Sequence, residues 1–261
     1  MKPPEPCEAA DYLVLESTYG DRSHPEIDME AELVRSLAPA CARQATIVVP
    51  AFAVGRAQLL LLLISRLKAK GAIPDIPVYL DSPMAIDASE LYRSFGSEHR
   101  LSAEECRSMF QTVRFVHSAE QSQALASDPG AKIIVSASGM ATGGRVVHHL
   151  KRWAPDPNAL ILLTGFQAGG TRGASLAAGT QKLRIHGADI PVNAEVVQIN
   201  SMSAHADARE LIAWIASSSN SPRKVFLTHG EPAACDALRQ RIERELKWPV
   251  TVPEFRDSVT L

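Results

Sequence analysis

The sequence has few cysteines, and no two of them lie close together in the sequence. Its four cysteines are scattered along the chain, at Cys7, Cys41, Cys106 and Cys235. Without a C-x-x-C motif, a zinc site made of cysteines is disfavoured, and the spacing gives no disulfide framework. A reducing cytoplasm is therefore the expected compartment.

Long apolar runs and an excess of positive charge are also missing. The longest aliphatic run, LLLLLI at 59–64, is far shorter than the roughly 20 residues that a membrane span requires, so we expect a buried helix face there and no membrane partner. The N-terminus, MKPPEPCEAAD, has no apolar core of the signal-peptide type. A net charge of −2 provides no global field for nucleic acid, so phosphate recognition must be local.

The sequence does contain a series of apolar, β-rich runs, each followed by a polar or glycine-rich loop and a segment with helical spacing. The runs are YLVL at 12–15, TIVV at 46–49, VYL at 78–80, IIVS at 133–136, LILLT at 160–164, EVVQI at 195–199 and KVFLT at 224–228. Continuous hydrophobicity indicates strands that are buried on both faces. The predicted fold class is α/β, with a parallel sheet that is covered by helices on both faces.

Three residues follow predicted strands closely enough to carry chemistry. They are Glu16 in LESTYGD, His205 in SMSAHAD and His229 in LTHGE. Ligands of parallel sheets bind outside the carboxyl ends of the strands, where a fixed histidine can bind a metal or, beside a carboxylate, donate a proton. Taken alone, each histidine is more often structural. Asp207 has a structural explanation, because DARE at 207–210 reads as a capping box.

A glycine-rich loop, SASGMATGGR at 136–145, predicts a second kind of site. Three glycines between a strand and a helix present backbone N–H groups that could cradle phosphate, and Arg145 adds charge. The alternative is a tight turn with no ligand. Arg56 and the pair Asp81 and Ser82 are expected at the same edge of the sheet, which favours an extended anionic substrate.

The order of these motifs resembles one family. LESTYGDR, VPAFAVGRAQ, YLDSPMA, SASGMATGGR, TGFQAGGTRG, SMSAHAD and LTHGE are similar to the successive signatures of β-CASP proteins, the nucleic-acid-processing branch of the metallo-β-lactamase superfamily. The likeness runs from about residue 11 to residue 235, and its nearest group is the ribonucleases related to the polyadenylation-factor endonuclease.

The resemblance implies a zinc-dependent phosphodiesterase that processes RNA. It implies a β-CASP domain at 23–180, with a Rossmann-like parallel sheet and helices on both faces. This domain is inserted into a metallo-β-lactamase αββα fold, of which 1–22 and 181–261 are segments. Two zinc ions would activate a hydroxide for in-line attack. His205 would protonate the leaving oxygen, Glu16 would hold His205, and His229 would bind one zinc. The residues expected to bind phosphate are Ser138, Gly139, Thr142, Gly143, Gly144, Arg145, Arg56 and Ser82.

The sequence departs from the family at its main zinc motif. None of the eight histidines lies in an H-x-H-x-D-H pattern, and the chain begins just before the segment that contains Glu16. One histidine cannot hold two zinc ions. We therefore expect the C-terminal portion of such a nuclease, which is inactive alone. It could come from a truncated reading frame, from a cut chain, or from a split gene whose N-terminal half is a separate chain; a homodimer stays open. The alternative is a non-catalytic RNA-binding or assembly module. A nucleotide-binding enzyme is more remote, since no G-x-G-x-x-G follows the first strand.

Overall fold

The computed structural model describes residues 2–24 and 26–261. The strands are β1 (Tyr12–Glu16), β2 (Thr46–Pro50), β3 (Val78–Leu80), β4 (Val113–Phe115), β5 (Lys132–Ser136), β6 (Leu160–Thr164), β7 (Lys182–Ile185), β8 (Ala188–Pro191), β9 (Glu195–Ile199), β10 (Lys224–Thr228) and β11 (Val250–Thr251). The helices are α1 (Met29–Ala42), α2 (Arg56–Ala69), α3 (Pro83–Ser94), α4 (Ala103–Thr112), α5 (Ala119–Ser127), α6 (Arg145–Trp153), α7 (Arg172–Ala177), α8 (Ala208–Ala216) and α9 (Pro232–Glu245), with a 3₁₀ turn at Gly96–Glu98.

The chain divides into two compact units. The larger consists mainly of Glu26–Ser203, and the smaller of Pro3–Pro25 together with Ala204–Leu261. The glycine- and alanine-rich stretch at 167–181 lies inside the larger unit and contains α7. The domain boundaries implied by the resemblance, after residues 22 and 180, stay a prediction.

The larger unit is built on a six-stranded sheet in the order β4-β3-β5-β2-β6-β9, in which all neighbours are parallel. Alternate residues of one strand belong to different apolar clusters. In β2, Ile47 and Val49 pack with residues of α1 and α2, whereas Val48 packs with residues of α6. Because both faces are covered, every residue of β2 is buried. The predicted α/β class, with a parallel sheet and helices on both faces, is confirmed. The LLLLLI run lies in α2 and faces the core over most of its length, as expected.

The smaller unit has a three-stranded parallel sheet in the order β1-β10-β11. Leu15 and Leu227 on one face of this sheet form an apolar cluster with residues of α8 and α9. Asp207 caps α8 in a capping box with Glu210, as predicted from the sequence. In the described part of the chain, helices are too short or too polar to cross a bilayer.

Candidate functional site

In the smaller unit, the parallel pairing of two strands brings Glu16 and His229 to the same edge. Glu16 ends β1 and lies opposite Thr228, the last residue of β10, so that His229 follows immediately. The next residue, Gly230, lies so close to the β1 loop that an added Cβ would be 2.5 Å from the carbonyl oxygen of Ser17. Only glycine permits this approach, which holds the loops after the two strands together.

His205 reaches the same place from the loop before α8. Its Nδ1 lies 3.2 Å from Oε1 of Glu16, and its ring centre is 5.4 Å from that of His229. One donor atom from each of Glu16, His205 and His229 lies within 4.8 Å of the others. The side chains of His205 and Glu16 keep 41% and 29% of their surface exposed, so solvent or a substrate can reach them. The structure therefore brings the three strand-end residues together.

Thr18, which no sequence motif indicated, contacts all three side chains. Its hydroxyl lies 3.0 Å from Nδ1 of His229 and 3.5 Å from Nδ1 of His205, and its backbone N–H donates to Oε2 of Glu16 at 2.9 Å. The only local signal for this role is a hydroxyl residue two positions after the glutamate. Because Nδ1 of His229 is engaged by Thr18, Nε2 is the ring nitrogen that could bind a metal.

His24 supports the loop that carries His205. Its Nε2 lies 2.8 Å from the carbonyl oxygen of His205, and its backbone N–H donates to Oδ2 of Asp207 at 2.7 Å. Asp207 thus fixes two segments at once, because its other oxygen caps α8. This second task of Asp207 was not predicted either.

The hydrogen bonds around Glu16 favour its ionised form. Burial raises the pKa of this carboxyl, but hydrogen bonds from Thr18, together with the charge and hydrogen bond of His205, outweigh burial and leave the pKa below its ordinary value. An ionised Glu16 can accept a hydrogen bond from Nδ1–H of His205, which orients the ring.

The donor atoms of Glu16, His205 and His229 are of the types that bind zinc, but they are few. Nitrogen and carboxylate oxygen are zinc donors, and three protein ligands with an open fourth position are usual where zinc is catalytic. Within residues 2–24 and 26–261, this is the only group of three or more such donors. Two zinc ions need more ligands than three, so the group fits one zinc ion at most.

The glycine loop of the larger unit follows β5 and satisfies part of its own backbone. Oγ of Ser138 accepts hydrogen bonds from the N–H groups of Thr142 and Gly143, at 3.0 and 3.4 Å. The backbone is close-packed here, since a Cβ on Gly139 would lie 2.7 Å from the ring of Phe52. Thr142 is exposed, and Ser138 and Gly143 are half-buried, so none of the three is fully enclosed by the fold.

The basic residues predicted beside this loop have partners within the protein. Arg145 donates to Oδ1 of Asp81 and to the carbonyl oxygen of Val116, both at 2.8 Å. Arg56 is buried and donates to the carbonyl oxygen of Thr164. Ser82 is buried and caps α3. Contacts of these residues with phosphate stay a prediction.

Asp81 is the centre of a buried polar network. Its Oδ2 accepts hydrogen bonds from Nε2 of His149 at 2.6 Å and from the hydroxyl of Ser122 at 2.5 Å. Burial raises the pKa of this carboxyl, but the hydrogen bonds from His149, Ser122 and Arg145 outweigh burial and lower it. Asp81 and His149 are fully buried, so this network stabilises the fold and does not face a ligand.

Two family models match the chain. The Beta-Casp domain model matches residues 57–176, and a model described as a Zn-dependent metallo-hydrolase RNA specificity domain matches residues 189–253. The chain belongs to the β-CASP family of the metallo-β-lactamase superfamily. The Beta-Casp match contains the glycine loop and the Asp81 network, and the second match contains His205 and His229.

Several curated β-CASP relatives are similar over most of this chain. A ribonuclease of Thermus thermophilus is 34% identical over 236 residues, which are 88% of this chain and 53% of that protein. The transcription termination factor FttA of Pyrococcus abyssi is 32% identical over 264 residues, 95% of this chain and 40% of that factor. An RNase J-like protein of Methanocaldococcus jannaschii is 32% identical over 250 residues, 93% of this chain and 57% of that protein. The chain spans about half the length of these relatives.

Proposed function

We propose that the chain is part of a zinc-dependent ribonuclease that hydrolyses phosphodiester bonds in RNA. The observation that carries the proposal is the cluster of Glu16, His205 and His229, whose donor atoms lie within 4.8 Å of one another. A family description that combines a metallo-hydrolase with RNA specificity, and relatives named as ribonucleases, support it.

His205 is the proposed proton donor. When the bond between phosphorus and the leaving oxygen breaks, that oxygen needs a proton, and an imidazole is suited to deliver it near neutral pH. Glu16 positions the ring by accepting Nδ1–H of His205 and stabilises the charged imidazolium before it gives up its proton.

His229 is the proposed zinc ligand, through Nε2. Zinc held there would supply Lewis-acid chemistry, with a polarised phosphate group and a more nucleophilic water. Because His229 is the only one of the three donors assigned to zinc, we infer that a two-zinc site takes its further ligands from an N-terminal metallo-β-lactamase half. The chain alone is then inactive.

The glycine loop is the proposed contact with the RNA backbone. Ser138, Thr142 and Gly143 of this loop are not fully buried. Hydrogen bonds from such a loop to phosphate oxygen would fix the position of a strand without reading its bases. Arg145 and Arg56 contribute positive charge at this edge, while their hydrogen bonds hold the loops in shape. We infer that this loop belongs to a β-CASP domain at 23–180, between segments 1–22 and 181–261.

Two observations favour the alternative, a non-catalytic RNA-binding or assembly module. The group at Glu16 offers fewer ligands than two zinc ions need. The relatives named as transcription termination factors are also about as similar to this chain as the ribonuclease is, and their name does not mention hydrolysis.

The test combines zinc content, RNA binding and RNA cleavage. The purified chain is incubated with zinc and a fluorescein-labelled single-stranded RNA, alone and together with a separately produced N-terminal metallo-β-lactamase half of a β-CASP ribonuclease. We expect RNA binding and fewer than two zinc ions with the chain alone, and cleavage only in the completed protein. There, His205→Ala slows cleavage but retains zinc, His229→Ala weakens zinc binding, and His99→Ala, outside the site, changes neither.

Two results would contradict this proposal. Two tightly bound zinc ions and cleavage by the chain alone would show that the site is not shared with another segment. RNA binding without cleavage in the completed protein would favour the assembly module.

A further inference from the structure

A basic cleft lies beside the glycine loop of the larger unit. Its volume is about 580 Å³. Its lining residues are Thr142, Gly170, Thr171, Arg172, Ser175, Lys182, Leu183 and Arg184. They include three cationic side chains and three hydroxyls, and none of these eight residues is acidic or aromatic. The cleft therefore offers hydrogen-bond donors and positive charge, but no surface on which a base could stack.

Arg172 fixes the floor of this cleft. Its Nη1 donates to the carbonyl oxygens of Ala141 and Thr142, both at 3.1 Å, and its Nε donates to the carbonyl oxygen of Arg184 at 2.8 Å. The guanidinium thus ties the glycine loop to β7. The shape of the cleft is fixed by the fold, because directional hydrogen bonds join its walls.

Gly173 holds α7 against the same loop. Its N–H donates to the carbonyl oxygen of Met140 at 3.0 Å, and an added Cβ would lie 1.7 Å from Oε1 of Gln167. No other residue type fits here without displacing Gln167. The segment that carries Thr171, Arg172 and Ser175 is therefore packed directly on the glycine loop.

Lys182 and Arg184 form the outer wall of the cleft. They alternate along β7 with buried Leu183 and Ile185, so both point to the same exposed face. Their side chains keep 69% and 68% of their surface exposed. Both pair with Asp189 of β8, at 3.2 and 3.0 Å. Exposed ion pairs of this kind are weak. A phosphate can therefore displace the carboxylate of Asp189 from the two cations or bind them beside it.

We propose that this cleft binds the sugar–phosphate backbone of a single-stranded RNA segment that continues from the glycine loop. This inference rests on the proposed function, because it takes RNA as the ligand. Cations with hydroxyls recognise phosphate, and the lack of aromatic lining means that bases are not read. Thr142 belongs to both surfaces, which makes them continuous.

The experiment measures RNA affinity across a salt series. The protein variant is Lys182→Gln with Arg184→Gln, and the probe is a fluorescein-labelled single-stranded RNA followed by anisotropy. We expect Kd to rise about tenfold at moderate salt. The slope of log affinity against log salt should fall by about 1.4, since each lost phosphate contact on a single strand removes about 0.7. Uridine-rich and adenosine-rich probes should lose affinity equally.

The matched control is Lys70→Gln with Arg93→Gln, which removes two exposed, ion-paired cations from the same unit. It should leave Kd and slope unchanged. A second variant, Lys182→Arg with Arg184→Lys, should restore binding, and thermal melting of every variant checks that the fold is intact.

The outcomes separate the two proposals. If the unsubstituted chain binds no RNA, the proposed function fails, and the cleft proposal fails with it. If it binds RNA but the Lys182 and Arg184 variant binds equally well, only the cleft proposal is overturned. Competition by poly-glutamate as strong as that by unlabelled RNA would also overturn it, in favour of an acidic protein partner.

Discussion

Oε1 of Glu16 lies 3.2 Å from Nδ1 of His205, although the two residues are 189 positions apart in the chain. Two features of the smaller unit make this possible. The end of β1 fixes Glu16, and the capping of α8 by Asp207 fixes the loop that carries His205. A carboxylate held beside an imidazole in this way sets the orientation of the ring, which a proton donor requires.

Glu16→Gln should reduce stability in a pH-dependent way. The folded pKa of Glu16 is lower than its unfolded value of about 4.3, so its ionised form stabilises the fold above that pH, and the contribution is lost as pH falls through the folded pKa. We expect the variant to lose about 1 kcal/mol or less at pH 7, because the side chain is partly exposed. Urea unfolding at several pH values measures this difference.

A matched control is Glu104→Gln, at an exposed position for which no such network exists among the described residues. It should show no pH-dependent loss. An equal loss for Glu16→Gln at pH 7 and at pH 3 would contradict the role given to the ionised carboxylate.

His229→Ala should weaken zinc binding by more than about tenfold, whereas His24→Ala should not, since loss of a direct ligand exceeds loss of a supporting contact. Both histidines belong to the smaller unit, but His24 contacts a backbone oxygen and not the donor group. Competition with a chromophoric zinc chelator measures the affinity. Equal zinc affinities for His229→Ala and the unsubstituted chain would show that His229 is not a zinc ligand.

Much of the fold could be predicted because buried parallel strands have continuous apolar sequences. The runs at 160–164, 195–199 and 224–228 coincide with β6, β9 and β10. Strand β4 escaped prediction because it has three residues and an exposed arginine at its centre, so it forms no apolar run. The hairpin of β7 and β8 escaped prediction because β7 alternates exposed Lys182 and Arg184 with buried Leu183 and Ile185, so it forms no continuous apolar run.

The site could be predicted only as a set of strand ends. Glu16 and His229 follow strands, and parallel strands place their ends at one edge. Thr18 could not be found in this way, because its contacts with His205 and His229 join residues 187 and 211 positions apart. The pairing of Arg145 with Asp81 could not be predicted from the sequence either. Both were expected at the same edge, but side-chain packing decides whether a cation faces a ligand or a carboxylate.

Asp81→Asn should destabilise the larger unit strongly. Removing the charge leaves the guanidinium of Arg145 and the imidazole of His149 without their buried partner, which typically costs about 3–5 kcal/mol. Because the pKa of Asp81 is lowered in the fold, the ionised carboxylate adds to the free energy of unfolding above about pH 4. This stabilisation is lost as pH falls through the folded pKa. Thermal or urea unfolding followed by circular dichroism measures it.

Asp87→Asn, at an exposed position of α3, is the control for this change and should alter stability by less than about 0.5 kcal/mol. Similar effects of the two substitutions would mean that the buried network does not stabilise the fold.

Neighbouring glycines of the glycine loop should respond differently to alanine. Gly144 has φ of +77°, and a Cβ there would lie 2.5 Å from the carbonyl oxygen of Ala137, whereas a Cβ on Gly143 meets nothing within 4 Å. Gly144→Ala should therefore cost about 1–3 kcal/mol, through strain and crowding, and Gly143→Ala less than about 0.5 kcal/mol. Urea unfolding measures both. If Gly143→Ala weakens RNA binding at unchanged stability, its backbone lies where phosphate approaches; if both variants unfold alike, the conformation of Gly144 does not determine the shape of the loop.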